Sequence, residues 1–271
     1  MKRAIFSYTT EQLLPYIDWN YFFHAWGIGG SNAESDKARE VKQDAELLLQ
    51  RHLHEETATA LFALCDAHSE GDNIIIEKVP LPLLRQQHTR PGEPNICLSD
   101  FISPHNDKIG LFATSVKGIF ATNNSGDTYE SILTQTTASR LAEAAATLLH
   151  KEVRKNTLLW GYAPEERLTP QELKAEKQCG IRPAIGYPSL PDQSVIFILD
   201  SILQLCDIGI ELTQNGAMRP AASVCGLMFS HPASRYFAVG RISNEQLLDY
   251  SQRRGITTED LHKFLYKNIV S

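Results

Sequence analysis

The segment with the clearest potential for chemistry is 180–188, which reads GIRPAIGYP. Pro183 fixes its own φ and keeps Arg182 out of the helical region. Gly186 can adopt a positive φ, so the run predicts a stiff, irregular segment whose backbone groups need partners outside regular structure. A flat heterocycle is one such partner, and the Arg182 guanidinium can bind a carboxylate in fork geometry. A rigid connecting turn with a surface arginine is the alternative interpretation.

A second segment, 16–26, is dense in aromatic side chains, although aromatics make up only 8% of the chain. Asp18 lies among them and can accept hydrogen bonds from a ligand ammonium group. The alternative is structural: the aromatics anchor the N-terminal arm, and Asp18 caps a helix.

Three further positions have both a functional and a structural interpretation. Glu143 is predicted on a helix, three residues after Arg140, where an exposed ion pair is the simple expectation. His231 precedes Pro232 and can exchange a proton, but a histidine in a turn also serves as a hydrogen-bonding residue. Tyr236 is either a ligand contact or an aromatic of a sheet.

Helix patterns occur in three blocks of the chain. The first covers 36–69 and is predicted as two helices broken near His54. The second covers 127–155, with Asp127 as the N-cap and an acidic residue three positions later. The third block contains helices at 193–206, 244–254 and 258–266, and Gly255 is a typical stop for the middle one.

Strand patterns lie between these blocks, and they cluster instead of alternating regularly with helices. That order predicts an α+β fold with an antiparallel sheet rather than a doubly wound parallel one. No repeat and no Gly/Ser linker divides the chain, so we expect one domain over 1–271. The predicted strands are 73–79, 95–102, 108–116, 222–229 and 235–242.

Composition narrows the class of protein. The net charge of −6 gives no general attraction to nucleic acid or to an anionic membrane. The longest apolar stretch carries Asp200 and Asp207, so it predicts a buried helix and not a membrane span. The 5 cysteines are widely spaced and odd in number, which favours a reduced, cytoplasmic protein. No Walker A, GxGxxG, HExxH or GxSxG motif is present, and no metal site and no catalytic base is predicted.

Several short motifs occur together along the chain. In this order, they resemble the activation domain of cobalamin-dependent methionine synthase, and the resemblance extends from about residue 16 to residue 268. It implies a single C-shaped α+β domain, a twisted antiparallel sheet flanked by helices, and S-adenosylmethionine bound on the concave face. The motifs are DWxxFF at 18–23, LRQQ at 84–87, CLxDF at 97–101, RLAEA at 140–144, WGYAP at 160–164, RPAxGYP at 182–188 and FSHP at 229–232.

The resemblance also implies site residues. Asp18 would take the amino group of S-adenosylmethionine, and Arg182 would bind the ligand on the proline-rich segment. Tyr236 and Phe237 would close the site. The other matching positions are Pro183, Ala184, Gly186 and Tyr187, whose backbone would frame the adenine, and the acidic residues Glu143 and Glu176.

The family's activity implies repair of an oxidised cofactor. A flavodoxin-like or other electron donor reduces cob(II)alamin, and the methyl group of S-adenosylmethionine then yields methylcobalamin. Fewer than 20 residues precede the DWxxFF run, too few for a cobalamin-binding region, so we expect the cobalamin on a separate methionine synthase chain, served in trans. The alternatives are an S-adenosylmethionine sensor or corrinoid-protein chaperone without methyl transfer, and a methyltransferase with another acceptor.

The sequence departs from the family pattern at a few positions. Ile185 stands where the family usually has proline, which we expect to loosen the segment. Ala221 replaces a glycine, and Leu227 and Met228 replace aromatic residues. These changes are expected to preserve ligand binding and to alter the rim contacts to cobalamin or partner domains.

Overall fold

A computed structural model describes residues 1–28, 35–89, 92–122 and 127–269 of the chain. Its main feature is a six-stranded antiparallel sheet in which the long strand β2 occupies the centre. β2 pairs with β1 and β3 along one side and with β5 along the other, and β8 lies beyond β5. The strands are β1 (Lys2–Thr9), β2 (Glu56–Glu70), β3 (Asn73–Ile76), β4 (Val79–Pro82), β5 (Asp107–Val116) and β8 (Ser223–Met228), and a separate hairpin is formed by β6 (Glu211–Leu212) and β7 (Met218–Arg219).

Helices cover both faces of this sheet. The 28-residue helix α4 packs on β2, β5 and β8 and forms one core with Leu141, Ala145 and Leu149 at its centre. α6 packs on the opposite face in a second core. The predicted α+β fold with helices flanking an antiparallel sheet is therefore confirmed. The helices are α1 (Thr10–Leu13), α2 (Trp19–Ala25), α3 (Asp36–Arg51), α4 (Thr128–Lys155), α5 (Pro170–Lys174), α6 (Ile196–Leu203), α7 (Asn244–Arg254) and α8 (Thr258–Leu265).

The prediction of two helices over 36–69 is correct only for its first half. α3 ends at Arg51, and the rest of the block is strand β2. Residues 57–63 are all buried, because one face of β2 lies in each core. A strand buried on both faces lacks the alternation of apolar and polar residues by which strands are recognised in a sequence. The alanines of β2 also have a high intrinsic helix propensity. Pairing with β1 and β5 outweighs that preference.

Two predicted strands are also wrong. Within 95–102, Leu98–Phe101 forms a 3₁₀ turn, because the Asp100 carboxylate accepts the Cys97 N–H at 2.9 Å and is itself held by Arg85. The segment 235–242 forms no ladder with the sheet. Side chains from other segments take its backbone hydrogen bonds, as described below.

Other local signals are confirmed. Asp127 caps α4 by accepting the Tyr129 N–H at 2.8 Å, and Gly255 ends α7 in the left-handed conformation at φ 65°. The predicted strand at 73–79 is a hairpin that turns at Glu77 and Lys78. β5 and β8 match their predicted positions within one or two residues.

The edge strand β8 brings the proline-rich segment to the sheet. Single antiparallel bridges join Ile181 to Phe229 and Ala184 to Gly226. A Cβ at Gly226 would lie 2.8 Å from the Ala184 Cα, so glycine permits this close approach. Across the described residues, no helix combines the length and the apolar character that a membrane crossing requires.

Candidate functional site

A cavity of about 490 Å³ lies between α4, the segment after α5 and the irregular chain near Tyr236. This volume is within the range of small-molecule sites, roughly 300–1,000 Å³. One face of α4 forms a wall of this cavity. The α4 residues that line it recur every three or four positions, which places them on the same side of the helix. Those residues are Arg140, Glu143, Thr147, His150 and Arg154.

The predicted site residues are brought together, with one exception. Asp18, Glu143, Glu176, Arg182, Pro183, Ala184, Tyr187, Tyr236 and Phe237 all line this cavity. Gly186 is not among the lining residues. It has a φ of 84° and its N–H donates to the Leu190 carbonyl at 2.8 Å, so it shapes the turn behind the wall.

Arg182 lies at the junction of three elements. Its Nη2 donates to the Thr147 hydroxyl at 2.7 Å, and its Nη1 is 3.5 Å from the Glu143 carboxylate. The Arg182 backbone N–H donates to the Tyr236 hydroxyl at 3.0 Å. The side chain is 19% exposed, so the guanidinium is oriented while part of it still faces the cavity.

Glu143 does not form the simple exposed ion pair with Arg140. The Tyr187 hydroxyl donates to Glu143 Oε1 at 2.6 Å, and Arg140 instead lies over the Tyr21 ring at 5.6 Å. Burial and the nearby Glu143 carboxylate raise the pKa of Tyr187. Tyr187 is therefore a neutral hydrogen-bond donor at physiological pH, and it orients the carboxylate.

The two other carboxylates have different surroundings. Asp18 Oδ1 caps α2 by accepting the Asn20 N–H at 2.9 Å, as the structural interpretation expected, and the same residue lines the cavity. The helix cap uses one of the two carboxylate oxygens of Asp18. Glu176 follows α5 in the left-handed conformation at φ 54°, and partial burial raises its pKa, opposed by the charge of Arg182.

His150 is a lining residue that the sequence analysis did not identify. It is buried, and its Nε2 lies 2.8 Å from the Tyr162 hydroxyl. Burial, together with the charges of Arg154 and Arg182, lowers its pKa well below 6.5. The signal that would have found it is its spacing of seven residues from Glu143 on one helix face, beside the WGYAP motif that supplies Tyr162.

We expect His150 to make the fold sensitive to acid. Because its pKa is lowered in the folded state, the unfolded chain binds an extra proton there as the pH falls below 6.5, and the folded state loses stability. His150→Gln should reduce the loss of unfolding free energy between pH 7 and pH 5.5 by up to about 1.4 kcal/mol per pH unit. Urea unfolding at both pH values measures it, and the exposed His105→Gln is the control. An equal pH dependence in His150→Gln and the wild type would contradict this expectation.

His231 does not line the cavity. Its Nδ1 accepts the Ala233 N–H at 3.1 Å, and its ring packs 6.1 Å from that of Phe101. His231 therefore has the structural role of a hydrogen-bonding residue in a turn. Among the described residues, no group of three or more His, Cys, Asp or Glu side chains is arranged to hold a metal ion.

The departures from the family pattern have structural explanations. Ile185 is buried, and its N–H donates to the Cys225 carbonyl at 2.9 Å, a bond that proline could not make. This bond fastens the segment to β8 and offsets the expected loosening. Leu227 and Met228 are fully buried in the two cores, so they are not rim contacts. Ala221 is exposed.

Fold and cavity together define an α+β domain whose pocket is lined by three carboxylates and four basic side chains, among them the oriented Arg182. The family described as vitamin B12 dependent methionine synthase, activation domain, matches residues 9–255, and the chain belongs to that family. The chain is also similar to a solved structure, the MetH reactivation domain bound to AdoHcy, with 34% identity and a TM-score of 0.88. That match covers 100% of this chain and 91% of the other.

Proposed function

We propose that this chain binds S-adenosylmethionine in the cavity and supports the reductive methylation of cob(II)alamin carried by a methionine synthase. The observation that carries the proposal is the convergence of Asp18, Glu143, Glu176 and Arg182 on one pocket of ligand size. These residues come from three separate parts of the sequence, and three further charged side chains, Arg140, Arg154 and Lys174, line the same space. The AdoHcy held by the similar MetH domain is the demethylated product of this ligand.

Four charged side chains of the cavity, Asp18, Glu143, Glu176 and Arg182, complement the charges of the ligand. S-adenosylmethionine carries an ammonium, a sulfonium and a carboxylate. Asp18 would accept the ammonium with its remaining oxygen, and Arg182 would hold the carboxylate. Glu143 and Glu176 would balance the sulfonium, which cannot donate a hydrogen bond and is recognised by charge alone.

The proline-rich segment would hold the adenine, and Tyr236 and Phe237 would close the pocket beside it. Pro183 and Ala184 are buried and tied to β8, so this wall is rigid before the ligand arrives. A preformed site avoids the ordering cost that a flexible loop would incur on binding. Tyr187, which is neutral and held by Glu143, lies at the exposed side, where a partner could approach.

The proposed reaction balances with one external electron. A flavodoxin-like or other electron donor reduces cob(II)alamin to cob(I)alamin. Cobalt then attacks the methyl carbon, a cobalt–carbon bond forms, the sulfur–carbon bond breaks, and the sulfur keeps the bonding pair. The products are methylcobalamin and S-adenosylhomocysteine. This chain's contribution is to orient the methyl group toward cobalt and to exclude water, because transfer neutralises the sulfonium.

The partners in this proposal are the cobalamin-bearing methionine synthase and the electron donor. We propose no nucleic-acid or membrane partner. All five cysteines are free thiols, which suits the reducing cytoplasm as the place of action. Treating 1–271 as one domain is part of the same proposal.

The test is methyl transfer in trans. The chain is mixed with a synthase holding cob(II)alamin, a chemical reductant and S-adenosylmethionine labelled in its methyl group. Label in methylcobalamin that depends on the chain supports the proposal. Binding of S-adenosylmethionine without transfer contradicts the reactivation role and favours the sensor or chaperone. Omission of the chain and omission of the reductant are the controls.

A further inference from the structure

The segment 235–242, here named the strap, forms part of the cavity wall without belonging to the sheet. Tyr236 and Phe237 line the ligand cavity on one side of the strap. The same two residues line a second cavity, of about 500 Å³, on its other side. Farther along the strap, Val239 and Ile242 are buried in a third core, and Phe237 packs against that core and against the core under α6. Hydrogen bonds add to this packing in fixing the position of Tyr236 and Phe237.

One set of these bonds joins the strap to the proline-rich segment. The Ser189 hydroxyl donates to the Phe237 carbonyl and accepts the Phe237 N–H. The Val239 N–H donates to the Pro188 carbonyl at 2.9 Å. These contacts tie the strap to the other wall of the same cavity, and that wall is itself joined to β8.

A bond from outside the ligand cavity adds a constraint at the residue that follows Phe237. Gln86 Nε2 donates to the Ala238 carbonyl at 2.8 Å. The other end of the same amide is also held, since Gln86 Oε1 accepts the Ile96 N–H at 3.2 Å and the Gln86 N–H donates to the Ile96 carbonyl at 3.0 Å. The preceding residue, Arg85, forms a two-bond pair with Asp100 at 2.7 and 2.6 Å. Gln86 therefore extends from a rigid base.

We propose that Gln86 is a positioning residue for the ligand site, acting through the Ala238 carbonyl on Tyr236 and Phe237. This inference rests on the proposed function, because it assumes that S-adenosylmethionine occupies the cavity. Gln86 lines the second cavity and not the ligand cavity, so its effect on the ligand would be indirect. The proposal also gives the LRQQ motif a role in ligand binding, although Gln86 of this motif does not line the ligand cavity.

Two neighbouring glutamines provide a matched pair of variants. Gln86 uses its Nε2 as a donor to the strap, whereas Gln87 uses its Oε1 as an acceptor of the Ser243 N–H at 2.8 Å, at the start of α7. Glutamate keeps the acceptor and removes the donor. Gln86→Glu thus breaks the bond to Ala238 and keeps the one from Ile96, while Gln87→Glu keeps its bond. Each variant adds one negative charge, so general electrostatic effects are equal in sign and similar in size.

The experiment is calorimetric titration of S-adenosylmethionine into the full chain and its variants. We expect Gln86→Glu to weaken binding on the order of tenfold, because a donor is lost and a carboxylate faces a carbonyl. Gln87→Glu should bind within about twofold of the wild type, and Gln86→Lys, which restores a donor, should recover most of the affinity.

Amide hydrogen exchange separates positioning from general instability. In Gln86→Glu, the Phe237 and Val239 amides should exchange faster while β2 and β5 keep their protection. Wild-type affinity in Gln86→Glu would overturn the inference, as would equal weakening in both glutamate variants. Failure of the wild type to bind S-adenosylmethionine would instead overturn the proposed function, and this inference with it.

Discussion

Replacing Arg182 with alanine is expected to weaken S-adenosylmethionine binding by about 100-fold or more. Its guanidinium is oriented by Thr147 at 2.7 Å and lies 3.5 Å from Glu143. The variant would remove the fork that holds the ligand carboxylate. It would also leave Glu143 without its positive neighbour, so a second negative charge would face that carboxylate. Isothermal titration calorimetry measures the loss.

Two further variants test the reason for this loss. Arg182→Lys keeps the charge but not the planar fork, so we expect an intermediate loss of about tenfold. Arg167→Ala, on the exposed surface beside a different cavity, should leave the affinity unchanged. Unchanged binding in Arg182→Ala would refute the assignment of the site. Equal binding by the lysine variant and the wild type would show that charge alone is recognised.

Replacing Arg154 with alanine is expected to destabilise the fold by about 3–5 kcal/mol. Its side chain is only 1% exposed, and Nε and Nη2 both donate to Glu166 Oε2, at 2.8 and 2.6 Å. The other oxygen of Glu166 accepts the Cys179 N–H at 2.9 Å, just before the proline-rich segment. Removal of the arginine leaves a carboxylate that is largely buried and uncompensated.

Urea unfolding monitored by circular dichroism measures this destabilisation. The matched control is Lys263→Ala, which breaks an exposed ion pair with Asp260 at 2.6 Å and should leave the stability nearly unchanged. A loss in Arg154→Ala no larger than in that control would show that the buried pair is not a main support of the fold. Because Glu166 also holds Cys179, we expect the folded fraction of Arg154→Ala to bind S-adenosylmethionine more weakly.

The two interpretations of Asp18 turn out to be compatible. A carboxylate has two oxygens, and capping of α2 uses one of them. The cap fixes the side chain in a single orientation, so the structural role prepares the proposed ligand contact. Glu143 behaves in a similar way, because its bond from Tyr187 orients the carboxylate that faces the cavity.

Several features of this protein could be predicted from the sequence alone, because they depend on residues close together in the chain. Asp127 and Gly255 mark helix ends because capping and the left-handed conformation depend on one residue and its neighbours. The stiffness of the proline-rich segment follows in the same way from its two prolines and Gly186. The motif order indicated the family, and the family match confirmed it.

The features that depend on contacts between segments far apart in the sequence were decided only by the tertiary structure. β2 is a strand because β1 and β5 pair with it on both sides, and no local pattern records that pairing. The strap is irregular because Gln86 and Ser189 take its hydrogen bonds from elsewhere in the chain. His150 became part of the cavity wall only when α4 was placed against the segment that carries Arg182. Hydrogen bonds and burial between segments far apart in sequence outweigh local preference wherever the two disagree.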